Sequence, residues 1–132
     1  MSKYAYPAIF TPEEVGGYSV LFPDLESCYT QGDDMPDALE MAKDALEIVL
    51  YEYEKNKKSI PEPSDVKNIK TNENEIISLV SGDTVNYSKM YNTKAVKKTL
   101  SIPEWLNIKA EEANAPYSQI LQQGLKTYLN IN

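Results

Sequence analysis

Three side chains that can form hydrogen bonds alternate along residues 95–102, in the stretch AVKKTLSI. Lys97 offers a charged donor, whereas the hydroxyls of Thr99 and Ser101 can both donate and accept. In a β-strand, side chains two positions apart share a face, so these three side chains lie together. The opposite face carries Val96, Leu100 and Ile102, with Lys98 among them. The pattern predicts a strand with one apolar face and one basic, hydroxyl-bearing face suited to a polyanion.

Two helices are predicted to follow this strand. Pro103 ends the strand and suits the first turn of a helix, which runs through PEWLNIKAEEAN. After a break at Ala115-Pro116, apolar residues at three- and four-residue steps predict a second helix over 117–129. Such a short unit cannot bury its apolar faces alone, and its single strand has two unpaired edges. We therefore expect two copies to pair their strands antiparallel and to interleave their helices.

Residues 94–132 resemble the ribbon-helix-helix fold of repressors such as Arc and MetJ. The resemblance rests on the strand VKKTLSI, the proline at its end and the two helices. It implies that a two-stranded ribbon enters the major groove of DNA, with Lys97, Thr99 and Ser101 touching base edges. The alternative is an ordinary edge strand in a dimerisation unit, whose lysines guard against aggregation.

The same resemblance implies contacts to the DNA backbone. In these repressors the start of the second helix clamps a phosphate with backbone amides, which falls here at Tyr117 and Ser118. Family members often cap this helix with serine, whereas this chain has Pro116. Lys94 and Lys98 are further candidate backbone contacts, although Lys98 can instead lie toward the dimer and extend outward.

Two absences limit the chemistry of the chain. The sequence has no histidine and no arginine, because all 13 basic residues are lysines, and it has one cysteine, Cys28. Nucleophilic triads and zinc sites built on histidine and cysteine are thereby excluded, and enzyme chemistry would rest on carboxylates alone. We expect neither catalysis nor a cofactor.

The sequence predicts a cytoplasmic protein without a membrane segment. It has a lone cysteine, a start without the layout of a signal peptide and no long apolar run.

Charge is unevenly distributed along the chain. Residues 1–62 carry 5 lysines against 13 acidic residues, and residues 63–88 carry 2 against 4. Residues 89–132 carry 6 lysines against 3 acidic residues. The asymmetry favours a basic partner for the front of the chain and a polyanion for its end. The alternative is a solvated acidic face with a chance cluster of lysines.

The front of the chain predicts an α+β domain of the order β-β-β-α-β. Aromatic and β-branched runs at 4–11 and 17–22 flank the loop PEEVGG, which is typical of a hairpin, and residues 27–30 predict a third strand. Asp33 or Asp34 can cap the following helix, and Asp37 suits its first turn. An apolar stripe on this helix predicts that it covers one face of the strands. EIISLV, residues 75–80, predicts a fourth strand, and SGDTVNYSKMYNTK predicts a turn, a weak helix and a linker.

The stretch GGYSVLFPDLESCYTQGDDMPDALEMAKDALEIVL resembles the front domain of the HicB family of antitoxins. The shared pattern is Gly-Gly-Tyr, then Phe-Pro-Asp-Leu, then Gly-Asp, then an alanine-rich helix. The sequence departs at Glu26-Ser27, where the family usually shows Pro-Gly before the cysteine. The resemblance implies a partial ribonuclease H-like fold that acts as a binding module.

The resemblance also implies a partner, the HicA toxin, a small basic protein that cleaves mRNA. An acidic domain can cover the positive surface with which such a protein holds RNA phosphates. Apolar anchors would then supply affinity. The candidate toxin contacts are Pro23, Leu25 and Cys28 in the turn between strands 2 and 3, with Asp24, Glu26 and Glu47 nearby. Leu25 and Cys28 have a second interpretation as core residues.

These observations predict three regions: a toxin-binding domain at 1–82, a linker with a possible short helix at 83–94, and a ribbon-helix-helix domain at 95–132. The expected function is that of an antitoxin that neutralises a HicA-like toxin and, as a homodimer, binds operator DNA and represses its own operon. With toxin, a hetero-tetramer or larger assembly is expected.

Two alternatives remain at this point. The front domain could instead sense a small molecule in a pocket of aromatics such as Tyr4, Tyr6, Phe10 and Tyr18. A carboxylate-and-metal nuclease, built on Asp24, Glu26, Asp33 and Asp34, is the other.

Overall fold

The computed structural model describes residues 2–131 and divides the chain into two compact units. The N-terminal unit extends to Lys94, and the C-terminal unit begins at Ala95. The strands of the N-terminal unit are β1 (Lys3–Pro12), β2 (Tyr18–Leu21), β3 (Tyr29–Gly32) and β4 (Ile76–Asp83), and its helices are α1 (Met35–Lys55) and α2 (Thr84–Tyr91). Val66–Asn68 forms a short 3-10 helix between α1 and β4. The C-terminal unit contains α3 (Glu104–Glu112) and α4 (Tyr117–Leu129).

The four strands form one antiparallel sheet in the order β3-β2-β1-β4. The predicted α+β class and the order β-β-β-α-β of the front are confirmed. Residue pairing is fixed by register, with Phe10 opposite Val20 in β2 and opposite Ile76 in β4. Side chains alternate between the two faces of each strand, so Tyr6, Ala8 and Phe10 of β1 point to the same side.

Helix α1 covers that side of the sheet and completes the core. The core comprises Tyr6, Ala8, Phe10, Val20, Phe22, Leu25, Cys28, Ala38, Ala42, Leu46, Leu50 and Val80. Alanines at 38 and 42 let the helix approach the strands closely. The fit is tightest at Gly32, where an added Cβ would lie 2.4 Å from the backbone nitrogen of Ala38. The last residue of β3 therefore has no room for a side chain.

Helix α1 begins where the sequence predicts. The Asp34 carboxylate accepts from the backbone N–H of Asp37 at 2.8 Å, and the Asp37 carboxylate accepts in return from the N–H of Asp33 at 2.8 Å. This reciprocal pair satisfies two donors at the positive end of the helix dipole, and Pro36 in the first turn has no N–H to satisfy. Asp34 is therefore the cap.

Two strands differ from the prediction by two or more residues, and the other two by one residue at each end. The third strand was expected at 27–30 but runs from Tyr29 to Gly32, because residues 22–28 close a tight loop in which Phe22 donates to the Cys28 carbonyl at 3.0 Å. The fourth strand was expected to end at Val80, with a turn after it. Instead it continues to Asp83, because the long strand β1 supplies ladder partners down to Lys3.

The segment 83–94, predicted as a linker with a possible short helix, contains helix α2, which packs against α1. The Asp83 carboxylate caps it by accepting from the N–H groups of Val85 and Asn86 at 3.0 and 3.2 Å. The Tyr87 ring lies 5.1 Å from that of Tyr51 and 4.7 Å from that of Tyr91. These contacts attach α2 to the N-terminal unit.

Candidate functional site

The loop of residues 22–28 exposes only part of the predicted toxin-contact set. Pro23 and Glu26 are exposed, and Asp24 is half-buried. Leu25 and Cys28 retain only 4% and 1% of their accessible surface, so their prediction as exposed anchors is wrong and their alternative as core residues is correct. The loop folds back on itself, since Leu25 N–H donates to the Phe22 carbonyl at 3.2 Å, and this turns both side chains under the strands.

Ser27 explains how this loop closes without the family's glycine. Its φ of 54° lies in the left-handed region that glycine adopts freely and other residues adopt at a cost. The burial of Cys28 raises the pKa of its thiol to about 11. A buried, protonated thiol is a weak nucleophile, so Cys28 has a packing role.

Asp24 holds a distant loop in place. Its carboxylate accepts hydrogen bonds from the backbone N–H and the hydroxyl of Ser64. The Tyr6 hydroxyl donates to the carbonyl of Pro61 in the same loop. Together these bonds fasten the segment that follows α1 to the core side of the sheet. In the single chain, the Asp24 carboxylate therefore serves as the hydrogen-bond acceptor that holds this loop.

Glu47 was predicted among the toxin contacts, but its side chain is buried. Its carboxylate accepts from the backbone N–H of Asp83 at 2.7 Å and pairs with Lys43 at 3.1 Å. The pattern of α1 alone could not indicate this position, because the junction of β4 and α2 that covers Glu47 is distant in sequence. Glu47 links α1 to that junction.

Three of the four carboxylates suggested for a metal-dependent nuclease have structural positions, and the fourth, Glu26, is exposed. Asp33 and Asp34 lie at the N-terminus of α1, with Asp34 as its cap, and Asp24 binds Ser64. Across residues 2–131, no three side chains of histidine, cysteine, aspartate or glutamate are grouped so that they could hold a metal ion. The nuclease alternative therefore has no supporting cluster in the described chain.

The aromatics suggested for a small-molecule pocket do not line one together. Tyr6 and Phe10 fill the core, and burial raises the pKa of the Tyr6 hydroxyl. Tyr4 lies beside the core, where its hydroxyl donates to the Glu54 carboxylate at 2.6 Å. Burial, followed by this hydrogen bond, raises the pKa of Tyr4. The sensor alternative gains no support from these positions.

The second face of the sheet carries an apolar row that sequence reasoning missed. Ile9 of β1 lies directly opposite Leu21 of β2 and Ile77 of β4, and Leu21 lies opposite Tyr29 of β3. The available signal was the apolar runs AIF and VLF, together with the pairs Ile76-Ile77 and Leu79-Val80 in β4. A strand buried on one face shows alternation, whereas a continuous run indicates that both faces are apolar.

In the C-terminal unit the predicted DNA contacts are all accessible. Lys97, Thr99, Ser101 and Ser118 are exposed. No β-strand is assigned to residues 92–103, because a strand requires ladder hydrogen bonds and none of the described residues supplies them to this segment. The predicted strand at 95–102 thus stays a prediction about paired chains.

Neither α3 nor α4 buries any of its residues. The Tyr117 hydroxyl donates to the Asn107 side-chain carbonyl at 2.9 Å and so joins the helices. Pro116 precedes α4 without a side-chain cap, as the sequence predicts. An open apolar groove remains, lined by Leu100, Ile102, Leu106, Ala110, Ile120 and Leu121.

Comparison with known proteins first defines the fold class. The chain is similar to a chain of a toxin–antitoxin complex from Streptococcus pneumoniae, with a TM-score of 0.61, 27% identity and coverage of 96% of this chain and 99% of that one. It also shares its fold with the antitoxin HicB of Burkholderia pseudomallei, with a TM-score of 0.54, 18% identity and coverage of 92% and 96%. The fold is thus that of HicB structures.

Sequence comparison then identifies the family. A family described as HicB-like antitoxin of bacterial toxin-antitoxin system matches residues 5–78, more than half of the chain. The chain belongs to this family. Antitoxin HicB 1 of Photorhabdus laumondii is 46% identical over 61 residues, which are 46% of this chain and 39% of that protein. Antitoxin HicB of Escherichia coli K12 is 42% identical over 59 residues, which are 45% and 43%.

Two further facts limit what these relatives imply. The chain spans about two fifths of the length of the curated relatives that it matches. Among residues 2–131, no helix combines the length and the apolar character that a membrane crossing requires.

Proposed function

We propose that this protein is the antitoxin of a type II toxin–antitoxin pair. Its N-terminal unit binds and neutralises a HicA-like mRNA-cleaving toxin. Its C-terminal unit dimerises as a ribbon-helix-helix domain and binds operator DNA, which represses its own operon. The similarity to a chain of a toxin–antitoxin complex carries the proposal, because it extends over 96% of this chain at 27% identity and includes both units.

Charge supports the assignment of partners. Residues 1–94 contain 9 lysines and 17 acidic residues, a net charge of −8, whereas residues 95–132 contain 4 lysines and 3 acidic residues. An acidic unit attracts a basic RNA-binding protein and speeds their encounter. We interpret the N-terminal unit as a partial ribonuclease H-like fold used for binding, since its carboxylates cap helices and loops.

Exposed apolar side chains support dimerisation of the C-terminal unit. Leu100, Ile102, Trp105, Ile108, Ile120 and Leu125 are all exposed in the single chain. A patch of this kind marks an interaction site, and pairing with a second copy would cover it. Pairing would also supply the strand at 95–102 with its missing ladder, which places Lys97, Thr99 and Ser101 on the outer face of the ribbon.

Neutralisation is tested by co-expression with a HicA-like toxin. The unchanged chain restores growth and forms a complex with the toxin that survives size-exclusion chromatography. Failure of both readouts contradicts the antitoxin assignment.

Operator binding is tested with a duplex that contains the region upstream of the gene. The double variant Lys97→Ala/Thr99→Ala binds at least ~10-fold more weakly, because each lost base contact costs about 1–3 kcal/mol. Lys126→Ala, on α4, is the matched control and changes affinity little. Both variants neutralise the toxin fully; a double variant that loses both activities would contradict the separation of the two surfaces.

Salt dependence and assembly provide two further measurements. Affinity for the duplex falls steeply between low and moderate salt, since lysine–phosphate contacts release counterions.

Sedimentation shows a dimer of the unchanged chain, and Leu100→Lys shifts it to a monomer because a charge would then lie in the pairing surface. A monomeric unchanged chain that still binds the duplex would contradict the ribbon.

A further inference from the structure

The sheet of the N-terminal unit has one covered face and one open face. Phe10, Val20 and Val80 point toward α1 and are buried. The opposite side chains, apart from the buried Pro7, form what we call the open face: Ile9, Thr11, Ser19, Leu21, Tyr29, Gln31, Ile77 and Leu79, assigned from the strand pairing. Helix α2, the other α-helix of this unit, packs on α1.

The open face is apolar at its centre. The row Ile77-Ile9-Leu21-Tyr29 crosses all four strands as directly opposed neighbours. Leu21, Tyr29 and Leu79 remain 49%, 69% and 59% exposed. Ile9 and Ile77 of the row are half-buried. A contiguous apolar row that is partly accessible to solvent marks a binding site. A rigid, accessible tyrosine in such a row is the residue type that most often anchors an interface.

Two carboxylates lie along one side of this apolar row, near the end of β1 and the start of β2. Thr11 and Ser19 are directly opposed in the ladder. The Thr11 hydroxyl donates to Glu75 at 3.2 Å, and the Ser19 hydroxyl donates to Glu13 at 2.7 Å. Both carboxylates are therefore held beside the same end of the face. Lys3 lies at the opposite end of β1, exposed and opposite Asp83 in register.

We propose that the toxin docks on the open face, with Leu21 and Tyr29 as its apolar anchors and Glu13 and Glu75 as partners for its lysines or arginines. This inference rests on the proposed function and replaces the predicted contact set, of which Leu25, Cys28 and Glu47 are buried. The partner that fits is a basic protein with an apolar patch flanked by positive charge, because the N-terminal unit carries a net −8. Two copies of that unit would repel each other, which disfavours a second copy on this face.

Affinity for an inactive variant of the cognate toxin, measured by isothermal titration with the full chain, tests the inference. Leu21→Lys weakens binding about 100-fold or more, because it places a positive charge in the contact with a basic partner. Tyr29→Ala weakens it at least ~30-fold, as truncation of an aromatic anchor does. Leu39→Lys is the matched control: it makes the same change at a 41% exposed leucine of α1, away from the open face, and leaves affinity within about twofold.

The outcomes separate this inference from the proposed function. If the unchanged chain does not bind the toxin, the proposed function fails. If it binds but Leu21→Lys and Tyr29→Ala bind equally well, or Leu39→Lys alone abolishes binding, the open face is not the docking site. If Leu21→Lys reduces the mass of the toxin-free chain, a second copy covers the face and the inference is overturned.

Hydroxyl-radical footprinting provides a measurement that needs no variant. Binding of the toxin protects Tyr29, Leu21 and Leu79 from oxidation at least ~5-fold relative to the free chain, since contact excludes solvent from them. Leu39 stays as reactive as before. Equal reactivity of Tyr29 with and without saturating toxin would contradict docking on this face.

Discussion

The two units of this protein distribute their apolar side chains in opposite ways. The N-terminal unit encloses twelve buried apolar residues between a sheet and α1. The C-terminal unit has two helices with no buried residue, and its large apolar side chains remain exposed. The first unit buries its apolar residues within one chain, whereas the proposed dimerisation would cover those of the second. If the second unit dimerises as proposed, its stability depends on protein concentration, and that of the first does not.

The largest expected effect comes from truncating matched leucines in the two units. Leu46→Ala, at a fully buried position, lowers the free energy of unfolding of the N-terminal unit by about 3–5 kcal/mol, because it leaves a cavity against the sheet. Leu125→Ala, at a 52% exposed position, leaves the unfolding midpoint of the N-terminal unit unchanged. It lowers only the unfolding midpoint of the C-terminal unit, which is expected to depend on protein concentration. Denaturant unfolding at several protein concentrations measures both. An N-terminal transition that weakens equally in the two variants would show that the units unfold as one.

Cysteine labelling compares the units by access to solvent. Cys28 reacts with a thiol reagent at least ~100-fold more slowly than the same thiol in denaturant, because the buried group must first be exposed by opening of the structure. A cysteine placed in the C-terminal unit, as Gln123→Cys in a Cys28→Ala background, reacts at the rate of a free thiol. Rapid labelling of native Cys28 would contradict its place in the core.

The same thiol makes a contribution to stability that depends on pH. Its pKa rises from an ordinary value of 9.0 to about 11 in the folded chain, so the unfolded chain loses the proton first. The contribution is complete below about pH 9 and is lost as pH rises toward about 11.

An intermediate effect is expected at Glu47. Glu47→Ala removes the acceptor of the Asp83 N–H and destabilises the N-terminal unit by about 1–3 kcal/mol, while Glu47→Gln keeps an acceptor and costs less. Thermal unfolding of both variants provides the comparison. Equal losses from alanine and glutamine would attribute the effect to charge instead of the hydrogen bond.

The smallest effect concerns the backbone of the loop at residues 22–28. Ser27→Gly stabilises the N-terminal unit by about 0.5 kcal/mol, because relief of the left-handed conformation exceeds the added flexibility of the unfolded chain. Ser64→Gly is the comparison variant, because Ser64 lies in the loop that Asp24 holds and its φ is not in the left-handed region. This change removes the hydroxyl that donates to Asp24 and destabilises the N-terminal unit. Loss of stability in Ser27→Gly would show that the serine side chain has a role of its own.

The comparison of the two units also explains what the sequence could predict. Local signals were sufficient to place the cap of α1 at Asp33 or Asp34 and to predict the order of strands and the break before α4, since each depends on neighbouring residues. The burial of Leu25, Cys28 and Glu47 was not readable locally, because a loop closure and a distant strand end create it. The open face was missed for a related reason: runs such as VLF indicate two apolar faces but not which one a helix covers.

The candidate DNA contacts followed from the resemblance to ribbon-helix-helix repressors, together with the alternation of Lys97, Thr99 and Ser101, and their role stays a prediction. One chain contains only half of the proposed ribbon that would position them. No single-chain pattern or structure can supply the ladder that a second copy would provide.

The segment 92–103, which follows α2 and has no regular structure, has a consequence for the lifetime of the protein. Aromatic stacking anchors the chain up to Tyr91, after which residues 92–106 are exposed and the first twelve have no regular structure. Extended, unprotected backbone is what proteases bind. We expect proteases to cleave this segment in monomeric chains and to spare it in chains that have bound a partner. The rate of degradation would then depend on the concentration of the protein.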